Sequence, residues 1–194
     1  MKNLEYLARP GTIILINFTK MSNQSFYIDK ITNSIEDAAT GKSLDTAVHP
    51  LILADLKTVL KKNGWRFNWR SEFKYEDREL YKLIVKSETN VQGLISLQPV
   101  ENFIEMHLIE TAPHNYGSTK KYRGVAGNLV AFACKMSFDA GFEGFVGFTA
   151  KTQLINHYIE TLGAELIFRN RMGISGDSAK RLVNSHYKNY FDGS

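Results

Sequence analysis

The chain has 194 residues, room for one sizeable core, and its 43% hydrophobic and 23% charged residues exclude a largely disordered protein. A single cysteine, Cys134, excludes an internal disulfide, and the early apolar run at 13–16 is too short to cross a membrane, so a cytoplasmic protein without a membrane partner is expected. The net charge of +4 suits nucleic acid, an anionic cofactor or neither.

Along the chain, strands are expected at 13–18 and 25–31, the second alternating Phe26, Ile28 and Lys30 with Tyr27, Asp29 and Ile31. Pro50 can open a helix with Ile52, Leu56, Val59 and Leu60 on one stripe, closed by Gly64. The string 65–70 interleaves Trp65, Phe67 and Trp69 with Arg66, Asn68 and Arg70, which reads as an amphipathic strand; the same chemistry would also serve a single-stranded nucleic-acid platform. Strands follow at 80–85, 91–97 and 103–110, the last two joined as a hairpin through Pro99. Val125, Leu129, Phe132, Ala133 and Met136 then form one apolar helical face, closed by Gly141. A strand at 142–149, a helix at 152–162 ended by Gly163, a strand at 164–168 and a last helix at 178–190 complete the order. No repeat or linker divides the chain, so a single domain over 1–194 is expected: an α/β (α+β) fold, with a central mixed sheet and helices on both faces.

The stretch Lys120-Lys121-Tyr122-Arg123-Gly124-Val125-Ala126-Gly127-Asn128 lies between a strand and a helix start. Small residues there let the backbone approach a ligand, and the N–H groups of a first helical turn, with the positive end of its dipole, form an anion site. Lys120, Lys121 and Arg123 add positive charge, so a diphosphate fits, although a solvated turn gives the same string. Neither a P-loop nor a dinucleotide fingerprint matches. Cys134, mid-helix, reads as packing, and the five scattered histidines show no metal-ligand spacing, so no metal is expected.

Lys121-x-x-Gly124-x-Ala126 resembles the Arg/Gln-x-x-Gly-x-Gly/Ala signature of the GNAT N-acetyltransferases, and the segment from His157 to Gly163 is similar to that family's Tyr-x-x-x-Gly closure of its second helix. The resemblance departs at Lys121, and at Tyr158, which stands five residues before Gly163 while Ile159 holds the tyrosine's slot. It implies a GNAT-like fold with a CoA-binding half over about 91–168 and an acceptor-side half over 1–90, where 65–70 could line the acceptor pocket. The 103–110 strand would splay from the 142–149 strand, opening a V-shaped cleft. Acetyl-CoA would lie with pantetheine along Leu108, Ile109, Glu110 and Thr111. Its diphosphate would rest on Gly124, Val125, Ala126, Gly127 and Asn128, beside Lys121 and Arg123.

The acceptor implied is an amine of unidentified kind, with nucleic acid a less favoured partner and a homodimer allowed. Such a transfer needs a base, oxyanion donors and an acid for the leaving thiolate. Glu110 is the candidate base, closing an apolar row of Ile104, Met106 and Leu108 on its strand, with His114 the runner-up in the following loop; Tyr158 is the candidate acid. The same three also read as a solvated strand end, a surface histidine and a core tyrosine. Two other functions compete: a CoA- or anion-binding module without chemistry, and a nucleic-acid-binding protein.

Overall fold

The computed structural model describes residues 6–9, 12–15, 28–29 and 34–192. Of the two early strands expected, one is seen as a hairpin of β1 (Tyr6–Arg9) with β2 (Thr12–Leu15), standing as its own antiparallel sheet. The stretch expected as a strand over 25–31 lies outside the described residues except for Ile28 and Asp29, which are irregular. A second small sheet sets β3 (Ile35–Asp37) between β4 (Ser43–Leu44) and β9 (Tyr122–Arg123).

The main sheet has seven strands in the order β11 (Glu165–Phe168), β12 (Arg171–Ile174), β10 (Val146–Thr149), β8 (Phe103–Thr111), β7 (Val91–Val100), β6 (Glu79–Val85) and β5 (Thr46–Pro50). Every pairing is antiparallel except β8 with β10. Alternation along the strands sorts side chains to two faces. Leu83, Val85, Ile95 and Leu97 enter one core; Leu80 and Leu94 enter the other. The helices are α1 (Trp69–Glu72), α2 (Val125–Asp139), α3 (Ile155–Leu162) and α4 (Gly176–His186). The last three contribute to the first core, and α1 covers the second through Trp69. Among the described residues, no helix is long and apolar enough to cross a membrane.

α2 is buried on more than one face: Val125 through Ala131 are all buried, because the sheet takes one side and α4 packs on another. Residues 50–64 correct the expected helix. Pro50 instead ends β5, an edge strand, where a missing N–H is tolerated. Beyond it come two single 3-10 turns, Asp55–Lys57 and Lys61–Asn63. Asp55 holds this course: its carboxylate accepts the Ile52 N–H at 2.9 Å and pairs with Lys82 at 2.6 Å, leaving Ile52 54% exposed rather than on a buried stripe. Residues 65–70 keep the expected burial pattern, with Trp65 and Trp69 inward, but they form a turn entering α1 rather than a strand. Asn68 caps that helix by accepting the Ser71 N–H at 3.2 Å. β5 and β12 complete the sheet where no strand was expected, and the last helix spans 176–186.

Candidate active site

β8 and β10 pair only at Ile104 with Val146 and Glu105 with Gly147, next to an Ile104 N–H bond to the Phe145 carbonyl at 3.0 Å. Beyond that point the β8–β10 ladder ends, and the rest of β8 to Thr111 pairs with β7. A buried ion pair pins the short ladder. Arg171 reaches from β12 across β10 to Glu105 on β8, with Nη1 donating to Oε1 at 2.7 Å and Nη2 donating to Oε2. Gly147 makes the crossing room, because a Cβ there would collide with Nη2. Burial pushes the Glu105 carboxyl up, and Arg171 pulls it partly back.

β8 carries one extra residue. Ser96 faces Leu108 while Leu97 faces Met106, leaving His107 as a bulge. The parity of the strand changes there, which corrects the expected apolar row: Ile104, Met106 and Ile109 enter the core beneath α2, whereas Leu108 joins the opposite core. Glu110 lies on the Leu108 side and is only 1% exposed. Its Oε1 accepts the Arg66 N–H at 2.6 Å; its Oε2 accepts the Trp69 indole N–H at 2.8 Å and the Phe67 N–H at 3.4 Å. It is therefore not a solvated strand end. Burial raises its pKa, and the three donors with the Arg66 charge oppose that rise. Thr111, at the strand's end, is half-buried.

The start of α2 is set from three sides. β9 pairs with β3 just before it, Gly124 takes the left-handed conformation at φ 80°, and Gly93 of β7 lacks the Cβ that would lie 2.8 Å from Val125. As in any helix, the first-turn N–H groups of Val125, Ala126 and Gly127 have no intrahelical acceptor. The Asn128 side chain turns back, donating to the Gly124 carbonyl at 3.2 Å and accepting from Thr46 at 3.4 Å. Arg123 is exposed, and Lys121 pairs with Glu88 at 2.7 Å. Lys120 pairs with Asp29 at 2.9 Å, and Asp29 Oδ1 also accepts the Gly124 N–H at 3.0 Å.

His114 lies at the surface, its Nε2 2.8 Å from Gln92 Oε1, in the loop that Asn115 ties to Gln92 and Tyr122; burial lowers its pKa first, then Lys121. Tyr158 is fully buried on α3, edge-on to Phe148 of β10 with ring centroids 5.5 Å apart. The three candidate catalytic residues are thus held by different neighbours. The sequence reading missed Arg171 with Glu105, the role of Asp29, and the turn at 66–69 as the partner of Glu110; each joins residues 41 or more apart, beyond any local pattern. Among the described residues no group of three or more His, Cys, Asp or Glu is placed to hold a metal ion.

No protein-family model matches the sequence, and no curated protein matches it. Solved structures do match. The chain is similar to the ribosomal-protein-S18-alanine N-acetyltransferase of Escherichia coli at TM-score 0.50 and 12% identity, over 69% of this chain and 97% of that one. It is equally similar to spermidine N-acetyltransferase of Vibrio cholerae, solved with CoA and spermine, at TM-score 0.50 and 15% identity, over 70% of this chain and 98% of that one.

Proposed function

The chain has the fold of the GNAT N-acetyltransferases, and we propose that it works as one: an acyl-CoA-dependent N-acyltransferase that moves acetyl from acetyl-CoA to a primary amine. The observation that carries this is the β8–β10 ladder stopping after Glu105 and Gly147, with an α2 N-terminus at the far end of β8. An extended pantetheine needs one free strand edge, and a diphosphate needs backbone N–H donors beside positive charge; one element after the other supplies both. The two solved structures named above were described as N-acetyltransferases, one of them holding CoA and an amine. In this reading 91–168 holds the cofactor along Leu108, Ile109, Glu110 and Thr111 and over Gly124 to Asn128, and the first 90 residues shape the acceptor side.

The acceptor ammonium first loses a proton to a base. Its lone pair then attacks the thioester carbonyl to give a tetrahedral intermediate with a cationic nitrogen and an oxyanion. As this collapses the C–S bond breaks, the nitrogen gives up its second proton to leave the neutral amide, and the thiolate takes a proton. Glu110 takes the part of the base: it is on the cofactor strand, and its burial raises its proton affinity. Tyr158 takes the part of the acid on α3.

Acetyl-CoA should raise the melting temperature of the purified protein by mass action. With acetyl-CoA present, release of free CoA thiol should depend on an added amine, a polyamine or a protein N-terminus being the first acceptors to try. A folded sample that shows no thermal shift at millimolar acetyl-CoA rejects the proposal. Binding without amine-dependent thiol release favours a CoA-binding module instead, the reading that the displaced register of Tyr158 supports.

A further inference from the structure

We propose that Asp29 is a built-in competitor of the cofactor's diphosphate, so that acyl-CoA enters the cleft only by displacing it. This rests on the α2 N-terminus being the diphosphate site. Asp29 sits where such a group would bind: its Oδ1 accepts the Gly124 N–H at 3.0 Å and its Oδ2 lies 2.9 Å from Lys120 Nζ. A carboxylate there satisfies the same donor and the same cation that a phosphate oxygen would use.

An ordinary helix cap comes from the N-cap side chain, but Gly124 has none, and this carboxylate arrives from a residue 95 positions away. The adjacent residue makes a second tie. The Ile28 N–H donates to His157 Nε2 at 3.0 Å, while the Ile28 side chain, 2% exposed, packs into the core. Residues 28 and 29 therefore join the start of α2, which follows β8, to α3, which follows β10. The bonds at Gly124 and Lys120 are not lost when the cofactor enters; they pass from a carboxylate to a phosphate, so the exchange is energetically close and can be tipped by ligand.

Calorimetric titration with CoA of the wild type, Asp29→Ala and Asp29→Asn tests this. If the carboxylate occupies the site in nine molecules of ten or more, its removal should tighten the apparent dissociation constant at least about tenfold, with Asp29→Asn, which keeps an acceptor but loses the charge, falling between. Unchanged or weaker CoA binding by the variants overturns the inference and makes Asp29 a structural cap. Absence of CoA binding by the wild type and by both folded variants overturns the diphosphate reading itself, and the inference with it. Amide hydrogen exchange on the wild type needs no variant: saturating CoA should speed exchange at Ile28 while slowing it at Val125, Ala126 and Gly127. Greater protection of Ile28 with CoA bound contradicts displacement.

Discussion

Glu110 is asked to do two things that pull in different directions. A base must be free to take a proton and then lose it, whereas the three N–H donors from Arg66, Phe67 and Trp69 hold the carboxylate in one place and favour its charged form. Glu110→Gln separates the two. The amide keeps one acceptor oxygen but turns an NH2 towards a donor, so a loss of about 1–3 kcal/mol in denaturant unfolding is expected in either case. If Glu110 is the base, kcat should fall at least about a hundredfold, with the acidic limb of the pH–rate profile lost and the acceptor KM little moved. If it only tethers the 66–69 turn, the acceptor KM should rise and the acidic limb should survive. Tyr158→Phe is the companion variant. The ring keeps its packing against Phe148, so stability should change by no more than about 1 kcal/mol, while a role as proton donor requires kcat to drop.

At the scale of elements, the arrangement of β8, β10 and the start of α2 depends on two glycines that hold neighbours close. Gly147 lets the Arg171 guanidinium cross β10, so Gly147→Ala should break the pair with Glu105 and cost about 1–3 kcal/mol, read by thermal unfolding. Gly93 lies against Val125 and Leu129, 2.8 and 2.9 Å from where a Cβ would be. Gly93→Ala should lift the start of α2 from the sheet and weaken CoA binding more than it lowers stability; equal CoA affinity in the variant would show that the helix start does not hold the cofactor. α2, the β7–β8 hairpin and the inward tryptophans were legible in the sequence because each rests on a local period or a short turn. The bulge at His107 was not, and it alone reversed which side chains share the face of Glu110. Nor were the turns after Pro50, whose course is set by an Asp55 pair with Lys82, a strand 27 residues on. What local spacing reached was the order of elements from β7 to α3; what it missed was set by partners far along the chain.

At the scale of the whole molecule, the titratable groups that desolvation shifts predict how stability follows pH. His107, His114, His157 and His186 all have lowered pKa values, with burial the first cause in each. Each binds a proton less readily in the fold than once unfolded. Their contribution is therefore complete above their ordinary value of 6.5 and is lost as pH falls towards the folded value, about 4 for His107. Arg78 and Arg171 hold His107 down beside its burial, with Asp77 opposing them. That histidine alone is worth up to about 3 kcal/mol, less whatever solvent reaching the ring screens. Glu105 and Glu110 run the other way: their raised values make a contribution that is present below 4.5 and lost as pH rises through the folded values. With four histidines against two carboxyls, and His107 held down to about 4, unfolding free energy from urea titrations should fall between pH 6.5 and pH 4.5. His107→Gln should flatten that slope, since glutamine takes no proton in either state. A wild-type stability that instead climbs as pH is lowered through this range would mean that the two carboxyls outweigh the histidines, and a slope left untouched by His107→Gln would place the proton uptake elsewhere among the histidines.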